Sequence, residues 1–215
     1  MLRIHHLGRS QSDRIVWLCE ELEIPYELVR YERDAVTMLA PPEYKALHPS
    51  GTAPVIEDGP LLLGESTAII EYIIYKYGSG RLAVRSHESN FPEYLYWYHF
   101  ANSTMMPAGS ISMVVNFLGE GSNSDNETMR SLKSRWTHAF ALTEARLSKA
   151  SYFAGDIFTA ADIVMQFPLT TMRYFVPYDI SGYPHILSYL RRIADRSAFK
   201  RAFQKCDPDL QLKLA

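Results

Sequence analysis

Glu65 and Ser66 stand together just ahead of a run whose apolar residues recur at helical spacing. A carboxylate and a hydroxyl at a helix start, beside the free N–H groups of the first turn, suit an amino-acid head group. The carboxylate would take an ammonium, and the hydroxyl with the amides would take a carboxylate. Upstream, Gly51-Thr52-Ala53-Pro54-Val55-Ile56 puts a proline where a strand should begin. Proline has no N–H, so in a sheet it survives only at an edge, a strand start or a bend. An X-Pro bond in such a turn is the kind that can be held cis. The turn leaves the N–H and C=O of Ala53 facing outward, ready to pair with an extended peptide. The chemistry is backbone pairing for a short peptide beside a clamp for its zwitterionic end.

Two further hydroxyls, Ser10 and Ser12, precede a helical run from Asp13 to Leu22. A hydroxyl at a helix N-terminus steadies an anion, since hydrogen bond and dipole both favour the charge. Ser10-x-x-Asp13 also fits a capping box, so the residues alone leave both readings open. Likewise Glu65-Ser66 fits a plain helix start. Thr159-x-x-Asp162 is a second box, and losing its cap would cost about 1 kcal/mol or more of stability. The seven histidines show no His-x-x-x-His spacing and no cysteine neighbour, so no metal site is expected. Cys19 and Cys206 lie far apart in helical segments, which reads as reduced and structural.

The elements that must position these groups alternate in type over the first eighty residues. Leu2–Leu7 reads as a strand, and Asp13–Leu22 as a helix with Ile15, Leu18, Cys19 and Leu22 on one face. Tyr26–Tyr31 follows as a strand, and Pro41-Pro42 opens a short helical piece. Val55–Glu57 and Leu61–Leu63 flank Asp58-Gly59, a hairpin signal. Thr67–Tyr77 is a helix ended by Gly78. From about Ser86 strands disappear: Phe91–Met106 reads as one long aromatic-rich helix. Gly119–Asn126 is a polar loop, and Ser124-x-x-Glu127 a capping box for the helix after it. Pro184 opens another helix, and Ser197 caps a last one. The expected architecture is α/β plus all-α, with a β-α-β-α-β-β-α domain at 1–80 and an all-helical domain at 86–215.

The 215 residues are 47% apolar and 21% charged, enough to bury a proper core. A net charge of −2 gives no electrostatic case for nucleic acid. No apolar run approaches the ~18 residues of a membrane span, and Leu2-Arg3-Ile4-His5-His6 lacks the core of a signal peptide. A cytoplasmic protein with no membrane partner is expected.

With these pieces in order, the chain resembles the cytosolic glutathione transferases. The resemblance is carried by Ser10 to Trp17, His48-Pro49-Ser50-Gly51-Thr52-Ala53-Pro54-Val55, Glu65-Ser66 and Phe153-Ala154-Gly155 to Asp162. Ser10 to Leu22, the Ala40-Pro41-Pro42-Glu43-Tyr44 run and His48-Pro49 are most similar to a serine-type bacterial and fungal branch. The resemblance implies a thioredoxin-like first domain, glutathione as co-substrate, and a small hydrophobic electrophile. It also implies a homodimer and a role in detoxification. Ser10 would activate the thiol, with Ser12 its rival; a cysteine there would favour thiol exchange instead. Glu65 and Ser66 would hold the γ-glutamyl end, and Ala53 beside Pro54 the cysteinyl part. Many relatives carry lysine where this chain has Thr52, leaving the glycyl carboxylate to His48 or Lys45. Tyr94, Tyr96, Trp97, Tyr98, Phe100, Met105 and Met106 fall on the helix that faces the electrophile pocket in that family, although such a stripe equally suits core or interface. A glutathione-dependent peroxidase or thiol reductase, and a non-catalytic glutathione-binding regulator, are the alternatives.

Overall fold

The computed structural model describes residues 1–119 and 127–214, with backbone alone for 115–119. The loop expected up to Asn126 and the box at Ser124 therefore lie largely outside the described residues. The chain forms two compact units, Met1–Ala83 with Ala194–Gln211, and Val84–Ile193 with Leu212–Ala215. A cut at 80–86 thus differs from the packing at one place: the last helix joins the first unit.

The first unit holds β1 (Leu2–Leu7), α1 (Asp13–Leu22), β2 (Glu27–Tyr31), α2 (Pro42–Lys45), β3 (Val55–Asp58), β4 (Leu61–Gly64) and α3 (Ser66–Lys76). The four strands lie in the order β2-β1-β3-β4. β1 and β2 are parallel, with α1 as the crossover that parallel neighbours need, whereas β3 runs antiparallel to both β1 and β4. The hairpin differs from expectation by one residue. Asp58 pairs with Leu61 inside the ladder, so Gly59 (φ +61°) and Pro60 make the turn. Asp58 is kept in place by its own bonds: it accepts from Tyr72 (2.7 Å) and Tyr77 and pairs with Lys76 at 2.8 Å. The Lys76 ammonium and the two phenols hold its carboxyl well below the usual range.

Helix α1 is buried over nearly its whole length, Trp17 and Arg14 included. One cover is α9 (Ser197–Cys206). Phe199 meets Trp17 edge-on at 5.0 Å between centroids. Arg196 grips Glu21 with two bonds of 2.6 and 2.7 Å, and Arg201 and Lys205 converge on Glu20. These ion pairs explain why the last helix leaves the helical unit. Ser197 is the first helical residue and not the cap, a place taken by Arg196 without a side-chain bond.

The second unit holds α4 (Phe91–Phe100), α5 (Met106–Gly119), α6 (Glu127–Leu147), α7 (Ala160–Leu169) and α8 (Pro184–Ala194). The helix expected to stop at Met106 instead runs on: a π turn over Ala101–Met105 joins α4 to α5. Tyr94, Trp97, Tyr98, Phe100 and Met105 are core, while Tyr96 is exposed. Helix α7 is buried throughout, and its capping box forms as the spacing requires. Asp162 accepts from Phe153 N–H (3.0 Å) and Thr159 N–H (2.8 Å). Among the described residues no helix is long and apolar enough to cross a membrane.

Burial raises the Asp162 carboxyl to about 6, against the opposing pull of its N–H donors. A folded pKa above the ordinary carboxyl value means that this group stabilises the fold below pH ~4, and that the contribution is lost as pH rises through ~6. Asp162→Asn removes that dependence. Urea unfolding between pH 4 and 7 should show the native protein losing up to about 3 kcal/mol relative to the variant. Parallel profiles would mean that the N–H donors fully satisfy the ionised carboxylate.

Candidate active site

The strand registers decide where the site lies. Val55 pairs with His5 across one ladder and with Gly64 across the other. The end of β1, the start of β3 and the end of β4 are therefore at one edge of the sheet. The segments that leave or enter there are Ser10 to Ser12, Ala53-Pro54, and Glu65-Ser66. The sheet thus brings together the three groups of residues singled out from sequence.

The Ala53–Pro54 peptide is cis. Ala53 packs against a small core of Leu7, Tyr44 and Val55. Among the described residues its backbone N–H and C=O make no hydrogen bond. Glu65 occupies the N-cap position of α3 at φ 68°, left-handed for a side chain that gains nothing from it locally. Strain of this kind costs about 1–3 kcal/mol and persists where surrounding structure imposes it. Its carboxylate makes no cap bond and is exposed, so the plain-cap reading fails for Glu65.

Ser66 is buried, and two residues that the sequence reading passed over explain why. Arg14 Nη1 donates to Ser66 Oγ at 3.1 Å and also to Gln11 Oε1. Ser66 Oγ lies 3.3 Å from the same Gln11 oxygen. Helices α1 and α3 are tied by a guanidinium with no exposed surface. The one sequence signal was an arginine within an otherwise core-facing first turn.

The N-cap of α1 is Ser12 and not Ser10, the start of the Ser10-x-x-Asp13 spacing. Ser12 is at the N-cap and its hydroxyl turns away from the helix. It accepts from Leu7 N–H at 3.2 Å, touches His6 Nδ1 at 2.8 Å and lies 2.6 Å from Ser10 Oγ. Ser10 Oγ also accepts from Ser12 N–H at 3.3 Å. Exposure is 5% at Ser10 and 0% at Ser12, so Ser10 is the outer hydroxyl of the pair.

The positions considered for the remaining carboxylate form a turn that satisfies itself. His48 Nδ1 meets Ser50 Oγ at 2.9 Å, and Thr52 Oγ1 donates to the same hydroxyl at 3.1 Å. The His48 ring lies over Gly64, where a Cβ would come within 3.2 Å of it. That close approach places His48 next to Glu65. Lys45 is exposed on α2. Cys19 and Cys206 are free and buried, and burial raises both thiols far above their ordinary range. Among the described residues no cluster of three His, Cys, Asp or Glu offers a metal site.

This geometry meets independent likeness. The profile described as the glutathione S-transferase N-terminal domain matches residues 9–74, and that of the C-terminal domain matches residues 102–197. Glutathione S-transferase 3 of Schizosaccharomyces pombe is 32% identical, over 96% of this chain and 88% of its own length. The chain belongs to the glutathione S-transferase family. A solved glutathione S-transferase from Actinobacillus pleuropneumoniae superposes with a TM-score of 0.86 at 31% identity, covering 96% of this chain and 93% of that one. A Pseudomonas fluorescens family member solved with two glutathione molecules bound shares the fold, with a TM-score of 0.73 at 23% identity over 94% and 91% of the two chains.

Arg14→Lys keeps the charge of this transferase's buried tie but loses the fork that reaches Gln11 and Ser66. It should cost about 1–3 kcal/mol in urea unfolding. Unchanged stability would mean that a point charge suffices between α1 and α3.

Proposed function

We propose that this glutathione transferase is of the serine type, with Ser10 as the group that steadies the glutathione thiolate. The observation that carries the reading is the outer hydroxyl of a buried pair, at the same sheet edge as the cis-proline turn and the start of α3. A free thiol has a pKa of about 8.5, so little thiolate exists at neutral pH. Lowering it by about two units needs about 2.7 kcal/mol of preference for the anion. Ser10 Oγ already accepts from Ser12 N–H, and when the Ser12 hydroxyl also donates to it, its remaining proton is free for a thiolate, the acceptor that benefits most.

The rest of glutathione falls to groups with matching chemistry. Ala53 pairs its free backbone with the cysteinyl residue. The exposed Glu65 carboxylate takes the γ-glutamyl ammonium, while Ser66 and the first amides of α3 take the adjoining carboxylate. Thr52 supplies no charge, and His48, held against Gly64, is the cation candidate for the glycyl end. The two buried cysteines favour conjugation over thiol exchange by the protein itself. Hydrophobic electrophiles, a homodimer and a cytoplasmic detoxifying role follow from the family and complete the reading.

Titration calorimetry with reduced glutathione, read with the ultraviolet thiolate band against pH, tests it. Ser10→Ala should raise the bound thiol pKa by at least about one unit and slow conjugation about tenfold or more, with affinity nearly kept. An unchanged rate and pKa in Ser10→Ala, with both lost in Ser12→Ala, would transfer the role to Ser12. Glu65→Ala and Ser66→Ala should each weaken glutathione binding about tenfold, equivalent to about 1.4 kcal/mol. Unchanged affinity in both would remove the clamp.

A further inference from the structure

The serine pair does not end at Ser12. Behind it lies His6, 1% exposed, with Nδ1 at 2.8 Å from Ser12 Oγ. Behind His6 lies Asp207, whose Oδ2 is 3.3 Å from Nε2. That approach is close enough to pair charges, though out of line for a hydrogen bond. Asp207 follows α9 and reaches back to the end of β1, where its Oδ1 accepts from Arg9 N–H at 3.3 Å. Gly8 leaves the space: a Cβ there would stand 3.3 Å from Asp207 Oδ1. Four side chains thus form a line from Ser10 at the outer end to a carboxylate, all within the first compact unit.

Two arrangements carry hydrogen bonds along the whole of this line, with Leu7 O, 3.4 Å from Ser12 Oγ, the competing acceptor for the Ser12 proton. In the first, an incoming thiol donates to Ser10, Ser10 donates to Ser12, and Ser12 donates to Nδ1 of a neutral His6. Each hydroxyl also accepts one N–H, Ser10 that of Ser12 and Ser12 that of Leu7. Nε2 then bears the proton that faces Asp207. In the second, every proton has moved one place inward. His6 Nδ1–H donates to Ser12, Ser12 donates to Ser10, and Ser10 donates to a thiolate. Both hydroxyls remain fully used.

We propose that His6 takes the thiol proton of bound glutathione through Ser12 and Ser10, and that Asp207 steadies the imidazolium that results. The step breaks the S–H bond and forms Nδ1–H. Each serine oxygen gives one proton and receives one, and no electron changes hands. Imidazole is the side chain whose ordinary titration lies near neutrality, which suits it to this exchange. After the sulfur has attacked its electrophile, the proton returns along the same hydroxyls to the leaving group or to water at Ser10. His6 and Asp207 are positioning residues in this scheme, since only Ser10 meets the sulfur. The inference rests on the reading of Ser10 as the thiol's partner. The charged groups around the inner end are Arg9, Arg30, Glu32, Arg33 and Asp209, which line a cleft of about 430 Å³ with Asp207. Arg33 donates to Gly8 O at 2.7 Å, which fixes one of these cations beside the cleft that Asp207 lines.

The test uses the full chain with reduced glutathione and compares Ser10→Ala, Ser12→Ala, His6→Asn and Asp207→Asn. Asparagine at position 6 keeps an amide near the Nδ1 place but cannot hold the proton. His6→Asn should raise the bound thiol pKa by about one unit, leaving about tenfold less thiolate near neutral pH. It should lower kcat and leave the KM for glutathione within about twofold, and Asp207→Asn should move both readouts the same way by less. Ser12→Ala cuts the line while leaving His6 in place and should match His6→Asn, which covers the case where the histidine variant fails to fold. If Ser10→Ala raises the thiol pKa while folded His6→Asn and Ser12→Ala leave it unchanged, the relay is overturned and the Ser10 reading stands. If Ser10→Ala also leaves it unchanged, both fall.

Discussion

Val55 pairs with His5 on one side and with Gly64 on the other, and this double register is the constraint on which the site depends. Shifting either ladder by one residue would turn every side chain of the moved strand to the opposite face. It would also separate the end of β1 from the start of β3 and the end of β4. The apolar alternation of the strands protects the register: Ile4 and Ile56 are opposite partners, and both are fully buried. Hydrophobic burial in the sheet therefore aligns polar groups that make no direct contact across it. The helices then refine that alignment locally, as Arg14 does between α1 and α3.

The same unit depends on a second, electrostatic tie. Burial alone would raise the Glu20 carboxyl, but Lys205, Tyr26 and Arg201 outweigh it and hold the group below its ordinary value. Together with the Arg196–Glu21 pair, these bonds fix α9 along α1. Asp207 is the residue that follows α9, so the ion pairs also set the position of the carboxylate beside His6. A buried pair is often no more stable than an apolar replacement, but it specifies one partner and one register. Here that specificity is what matters, because a helix sliding by one turn would carry Asp207 about 5.4 Å away.

The local features of the fold were legible in sequence because they rest on neighbouring residues. Alternation gave the strands, apolar spacing gave α1 and α3, and Thr159 with Asp162 gave the start of α7. The proline ahead of Val55 and the Glu65-Ser66 pair marked two sides of the site for the same reason. What escaped depended on contacts between distant segments. Nothing in Ser10-x-x-Asp13 tells that Ser12 turns back toward His6 and leaves the cap unmade. Arg14 meets Ser66 only because two helices converge, and Asp207 meets His6 across some two hundred residues of chain. The run through Met106 hid a π turn, since one extra residue per turn leaves the apolar spacing nearly unchanged over so short a stretch. Asp58 read as a turn residue because its partners lie far along the chain, Tyr72 and Lys76 on α3 and Tyr77 at its C-cap.

The arrangement at the start of α1 also bears on how a thiolate would be favoured there. A helix N-terminus contributes about 0.3–1 kcal/mol toward a nearby anion. Helix α1, however, carries Asp13 in its first turn, and that acid is itself buried. The dipole alone therefore falls short of the roughly 2.7 kcal/mol that a two-unit shift requires. A single hydrogen bond to a charged group supplies about 1.5–3 kcal/mol, but only when the donor is oriented before the anion forms. Ser12 N–H already donates to Ser10, and the Ser12 hydroxyl would complete that orientation only when its own proton is not drawn toward His6. In the proposed relay, the direction of one buried hydroxyl would couple the charge at the sulfur to the charge at the imidazole.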